Sequence, residues 1–272
     1  MLLYLEYSRK SLLKMPSSLS SDRPMKYKIT GDNLQLVTLE LNGGEKVYGE
    51  AGSMVYMSSN VTMEAKMRGG LMKAIGRKFA GETMFLTEFS PSGGTGLVAF
   101  GGNAPGTIKP IEVSAGREFI VQKDAFLCAE DTVELSVAFQ KRLGSAFFGG
   151  EGFILERLGG KGTVFIHACG DFVEFNLESG QSLKVDTGCV VGWDGTVSYD
   201  IERVKGIKTM FFGGEGIFLT TLRGPGWVLI QSMTLPNLAS ALAPFLPHQG
   251  RSGETSGSSG VLGTLLEETI GR

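Results

Sequence analysis

Short apolar runs broken by glycine recur along the chain, and they recur in register. FAGETMFLTEF at 79–89, FGGEGFILERL at 148–158 and FGGEGIFLTTL at 212–222 align without gaps, the last two sharing seven of eleven residues. Each leads through a glycine turn into a second apolar run: GTGLVAF from Gly94, GKGTVFI from Gly160 and GPGWVLI from Gly224. Two such runs joined by a glycine turn predict a β-hairpin in each unit. A second set aligns as well, with LNGGEKVYGEAGSMVYMS from Leu41, VSAGREFIVQKDAFLCAE from Val113 and LESGQSLKVDTGCVVGWD from Leu177. It places Gly44, Gly116 and Gly180 at one turn, and Ser53, Ala125 and Cys189 at one position of small residues, as expected where backbones approach closely.

The two sets alternate, which makes three units spaced 64–72 residues apart. Self-similarity at a near-constant period marks a repeat architecture. The predicted fold class is all-β: three similar β-repeats in a pseudo-threefold arrangement, repetition around an axis leaving few exposed strand edges. The connectors at 67–80 and 138–147 are expected to form short helices, and Pro236-Asn-Leu-Ala-Ser-Ala-Leu-Ala a terminal helix stopped near Pro244. Residues 1–24 read as an N-terminal extension ahead of a second start at Met25, 25–247 as a single three-repeat β domain, and 248–272 as a flexible C-terminal tail. A short helix at Val261–Thr269 is expected within that tail.

The Met25-Lys-Tyr start, the doubled FGGEG, the GKG and GPG turns and the LASALAPFLP ending at 238–247 together resemble the mitochondrial biogenesis family first named for altered inheritance of mitochondria. The resemblance covers about residues 25–247. It implies a β-rich fold of three repeats, akin to double-stranded β-helix or tryptophan-attenuator-like folds, that assembles into homo-oligomers. It implies no catalytic residues, and the eukaryotic role in organising the mitochondrial inner membrane transfers only as a loose analogy.

Charge is nearly balanced, with 26 Lys+Arg against 28 Asp+Glu and a pI of about 5.8, and there is no aromatic stacking motif of the RNA-binding kind. Both features argue against a nucleic-acid partner. Three cysteines, Cys128, Cys169 and Cys189, form no C-x-x-C pair, so neither a disulfide framework nor a zinc site is expected and a reducing compartment fits. The longest apolar stretches fall short of the roughly 18 residues that a spanning helix requires. Glu6, Arg9 and Lys10 interrupt any signal-peptide core. The expected location is cytoplasmic or membrane-peripheral.

Candidate chemistry is sparse. The β-helix analogy raises metal-dependent cupin chemistry, but the only histidines are His167 and His248, too few for a multi-histidine centre in one subunit. His167 and Cys169 would share one face of a strand; the alternatives are a Cys-His nucleophile pair, or a buried thiol beside a histidine with one hydrogen bond, which the apolar VFIHACG context favours. Glu82, Glu151 and Glu215 recur at one position and could converge on a cation, but three acids repel, and a structural role beside the signature residues Phe79, Gly81, Phe148, Gly150, Phe212 and Gly214 is preferred. No phosphate-cradling glycine motif is present, so no cofactor is expected and the chain is read as non-enzymatic.

The connectors carry the sharpest charge asymmetry. Lys66, Arg68, Lys73, Arg77, Lys78, Lys141, Arg142, Arg203, Lys205 and Lys208 are opposed only by Glu202, nine net positive charges in a chain of net −2. If the repeats are symmetric, these residues form a basic surface at one end, suited to an anionic membrane or an acidic protein partner. The functional expectation is a self-associating scaffold, with a small-ligand or RNA-binding module as the alternative.

Overall fold

The computed structural model describes residues 24–66, 86–141, 153–204 and 218–245. The chain divides into two compact units, residues 1–237 and 238–272. All described strands lie in the first. They are β1 (Lys26–Thr30), β2 (Leu36–Leu41), β3 (Val47–Glu50), β4 (Met54–Met57), β5 (Val61–Lys66), β6 (Leu86–Pro91), β7 (Gly96–Gly101), β8 (Gly106–Val113), β9 (Phe119–Gln122) and β10 (Phe126–Glu130). There follow β11 (Val133–Lys141), β12 (Phe153–Gly160), β13 (Gly162–Cys169), β14 (Phe172–Leu177), β15 (Ser182–Asp186), β16 (Val190–Asp194), β17 (Ser198–Arg203), β18 (Phe218–Arg223) and β19 (Gly226–Gln231). One helix, α1 (Leu235–Leu242), crosses the boundary between the units. It starts where Thr234 Oγ1 accepts from the Asn237 amide at 3.1 Å, a threonine N-cap, and gives way to a 3-10 turn containing Pro244. The terminal helix is therefore where the sequence predicts it.

After β1, the strands follow one order three times: β2–β7, β8–β13 and β14–β19, referred to as repeats 1, 2 and 3 with strands a to f in each. A 3-10 turn separates b from c in every repeat, ending at Ser53, Ala125 and Cys189. Gly44, Gly116 and Gly180 all take positive φ, of 92°, 85° and 84°, in the a–b turns, as their alignment implied. Within each repeat f pairs with a and c, and e pairs with b and d. The second residue of c, Val55, Leu127 or Val191, falls at a register shift against f each time, a repeated β-bulge.

The predicted e–f hairpins do not form. Strands β6 and β7, β12 and β13, and β18 and β19 lie in different sheets, because both edges of each e and f strand are already taken by other partners. The glycine turn is a corner leading from one sheet into the next. The true neighbours of e are the d strands β5, β11 and β17. The connector helix expected at 138–147 is also corrected in part: residues 138–141 belong to β11, whose V-E-L-S-V-A-F stretch pairs along β12. The remainder of that connector and the one at 67–80 lie outside the described residues.

The pairing yields four sheets, of order β1-β2-β7-β4, β5-β6-β3-β10-β13-β8, β11-β12-β9-β16-β19-β14 and β15-β18-β17, numbered 1 to 4. Sheets 2 and 3 are each built from the d-e-b strands of one repeat and the c-f-a strands of the next. Consecutive sheets enclose three cores. Val37, Leu39, Phe89, Phe100 and Phe165 fill the first, Tyr48, Phe119, Val121, Phe126 and Leu158 the second, and Phe153, Leu155, Val185, Trp193 and Leu222 the third. The middle sheets are buried on both faces: in β9, Phe119 and Val121 enter the second core while Ile120 enters the third. This is why β9 reads as an unbroken apolar run, not an alternating one. Strand β1 adds to the outer edge of β2 and seats Tyr27 edge-on against Phe165 at 4.9 Å. Phe172 and Trp227, partly buried, pack against the second core.

Candidate functional site

Two sheets are halves. Sheet 1 holds the c-f-a strands of repeat 1 plus β1, and sheet 4 the d-e-b strands of repeat 3. The complementary halves join by a b–c pairing in sheets 2 and 3, Gly49↔Cys128, Tyr48↔Ala129, Val47↔Glu130 and Val121↔Gly192, Ile120↔Trp193, Phe119↔Asp194. These two junctions have the same register in repeat coordinates. Strand c of repeat 1, β4, and strand b of repeat 3, β15, have no such partner among the described residues.

The missing junction changes what the side chains meet. In repeats 2 and 3, Leu127, Cys128 and Ala129 are 3%, 0% and 0% exposed, and Val191 and Trp193 are 0%. In β4 the matching Val55, Tyr56 and Met57 are 57%, 44% and 36% exposed. Strand β4 carries no charge and no proline, the devices by which sheet edges usually avoid pairing. By contrast the edge strand β8 contains Pro110, and its Ile108 amide is already bonded to Gln35 Oε1 at 2.7 Å. Edge β15 offers an alternating pattern with Val185 buried and Lys184 exposed, the lysine pairing with Glu202 at 2.8 Å.

Beside each c strand a polar side chain holds the corner that begins f. Ser58 Oγ accepts from the Leu97 amide at 2.9 Å, Glu130 Oε2 from Thr163 at 2.5 Å, and Asp194 Oδ2 from Trp227 at 3.1 Å. The preceding residue is always glycine, because a Cβ at Gly96, Gly162 or Gly226 would come within 2.5–2.6 Å of Val61, Glu130 or Val197. At repeats 2 and 3, Asp194 also binds Arg117, and both flank a cleft of about 620 Å³ between β8 and β14. Lys109 of β8 reaches Glu174 of β14 at 2.6 Å, and Trp227 Nε1 donates to the same carboxylate at 3.0 Å. Those bonds hold the Glu174 carboxyl below its usual range, the lysine hydrogen bond contributing most.

His167 and Cys169 share a strand face, and both are buried, 4% and 5% exposed. Burial lowers the histidine pKa and raises that of the thiol, so each favours its neutral form. The imidazole donates to the Ala104 carbonyl and lies against Gly102 and Gly106, where any Cβ would collide with it. It thus pins the link between repeats 1 and 2. Cys189 is pushed up to about 11 by burial first and Asp186 second. Among the described residues no group of three potential ligands can hold a metal ion.

Of the basic surface, Lys66, Lys141 and Arg203 are described; each is the last residue of the d strand of its repeat. Arg68, Lys73, Arg77, Lys78, Arg142, Lys205 and Lys208 lie outside the described residues, as do His248 and the signature residues Phe79, Gly81, Glu82, Phe148, Gly150, Glu151, Phe212, Gly214 and Glu215. Sequence reasoning missed Glu156, which is 0% exposed with both carboxylate oxygens lacking a partner. Its signal was its place: in the aligned repeats it stands where Thr87 and Thr220 do.

Sheets shared between consecutive repeats, with unlike halves at the two ends, define a class of all-β repeat protein. The chain belongs to the mitochondrial biogenesis AIM24 family, whose profile matches residues 27–233. A protein of Streptococcus pyogenes serotype M6 described as uncharacterized is 34% identical over 220 residues, 78% of this chain and 87% of the relative. The crystal structure of a Streptococcus pyogenes protein, 31% identical, matches with a TM-score of 0.66 over 82% of this chain and 100% of that one. No helix among the described residues is long and apolar enough to cross a membrane.

Proposed function

We propose that the chain is a non-enzymatic scaffold that self-associates head to tail, β15 of one copy pairing with β4 of the next. The observation that carries this reading is the pair of half-sheets, which together have the strand order of a complete one. Carrying over the register of the two internal junctions sets Tyr56 opposite Val185, Met57 opposite Lys184 and Ser58 opposite Leu183. Such a contact joins two different surfaces, so copies add in one direction and form a ring where the rotation closes. Pairing would cover Val55, Tyr56 and Met57 as their counterparts are covered inside the chain. Lys66, Lys141 and Arg203 are the last residues of the three d strands, and in this reading those strand ends are the side that an anionic surface would meet.

Cysteine cross-linking tests the register. Opposed residues of antiparallel strands have Cα atoms about 4.5–5.5 Å apart, within disulfide range. Full-length Tyr56→Cys mixed with full-length Val185→Cys should yield a disulfide dimer linking those two peptides, while either variant alone should not. A chain that stays monomeric by native mass spectrometry at high micromolar concentration, with no 56–185 cross-link, refutes the proposal.

A further inference from the structure

Strand β12 alternates between two cores: Phe153 and Leu155 face the third, and Leu158 faces the second. Glu156 is on the Leu158 side by the period of a strand. A carboxyl group with no exposure and no hydrogen-bond partner is a costly thing to hold in an apolar core, and it persists there only uncharged or with a counter-ion at hand. Repeat 3 shows what this place accommodates. There Thr220 takes the position of Glu156, and its hydroxyl meets that of Thr187 at 3.0 Å. The residue of repeat 2 that matches Thr187 is Lys123. The frame that holds a neutral hydroxyl pair in repeat 3 thus holds an acid and a base in repeat 2.

The charged groups acting on Glu156 are Glu50, at the end of β3 in repeat 1, and Lys123 and Asp124 in the 3-10 turn after β9. Burial is the largest influence and favours the neutral acid; Glu50 adds to it, Lys123 opposes it and Asp124 adds to it again. Because β3 is the strand through which repeat 1 pairs with β10 of repeat 2, the carboxyl sits where those repeats meet.

We infer that Glu156 is a proton-operated latch between repeats 1 and 2: protonated, it lets the second core close beneath β3, and ionised, it repels Glu50 and Asp124 and loosens the b–c junction. The folded chain then holds a proton that the unfolded chain gives up above about pH 4.5. Stability is full below that pH and falls as pH rises, by up to about tenfold in the folding equilibrium per pH unit, until the folded group also ionises.

The test is urea unfolding of the full chain from pH 5 to pH 9, for the native sequence, Glu156→Gln and Lys123→Met. Glu156→Gln keeps the volume and removes the ionisation, so its advantage over the native chain should widen with pH at up to that slope. Lys123→Met, normalised to its own stability at pH 5, should extend the decline to higher pH. Amide exchange at Tyr48 and Ala129, the hydrogen-bonded pair of the junction, should at pH 8 be faster in the native chain than in Glu156→Gln. Parallel pH profiles of native and Glu156→Gln chains, or equal exchange at those amides, overturn the latch. Should Glu156→Gln fail to fold, Glu156→Thr, which supplies the residue of repeats 1 and 3, takes its place under the same criteria.

Discussion

Asp194 makes two kinds of bond at once, and their separate worth is measurable. Its Oδ1 pairs with the Arg117 guanidinium at 3.0 and 3.2 Å, while its Oδ2 accepts the Trp227 amide at 3.1 Å. The side chains are unequally wet, 52% exposed for Arg117 and 18% for Asp194. A pair this exposed contributes about 0.2–1 kcal/mol. A backbone donor left without its acceptor costs about 1–3 kcal/mol, and the adjoining cleft admits water, which favours the lower half of that range. Asp194→Ala should therefore lose about 2 kcal/mol, Arg117→Ala less than about 1, and Asp194→Asn, which keeps an acceptor for the amide, about 1. For a chain of this size about 2 kcal/mol lowers Tm by roughly 4–8 °C. Thermal unfolding followed by circular dichroism, in low salt and again in about 1 M salt, separates the contributions, because salt screens the ion pair but leaves the amide bond. A loss in Arg117→Ala equal to that in Asp194→Ala, or a loss in Asp194→Ala that vanishes in salt, would show that the corner is held by charge and not by the amide.

The same corner predicts that Gly226→Ala, which meets both a φ of 147° and Val197 Cγ2 at 2.6 Å, destabilises by about 2–4 kcal/mol, whereas Gly44→Ala, with φ 92° and open space, loses about 1 kcal/mol by chemical denaturation. His167, whose pKa is lowered by burial, binds a proton more readily unfolded than folded, so its contribution is present above the unfolded value of about 6.5 and is lost as pH falls through the lower folded one. Tm measured from pH 7 down to pH 5 should drop more steeply in the native chain than in His167→Gln, and equal slopes would remove the histidine from the acid response.

The alignment of Gly44, Gly116 and Gly180 disclosed the repeated turn, because a positive φ leaves its mark directly on residue type. The e–f connection was misread for a physical reason. A glycine between two apolar runs looks the same whether the strands pair or part, and what decides is whether their edges are already occupied. The open edges were less legible still. MVYM in β4 is as apolar as FLCA in β10 or VVGW in β16, and only its place in the first repeat leaves it exposed. Glu156 escaped notice because a strand read by its apolar positions says nothing of what a single acid among them must meet in the core.

Sheets 2 and 3 each draw half their strands from one repeat and half from the next, so no repeat owns a finished sheet. The two ends are accordingly indifferent to copy number: a chain of two such repeats, or of four, would begin with the same c-f-a half and finish with the same d-e-b half. Gene duplication could lengthen or shorten the array without inventing a new terminus or a new contact. Whatever recognises those ends would go on recognising them, which makes the half-sheet, and not the repeat, the unit in which this architecture grows.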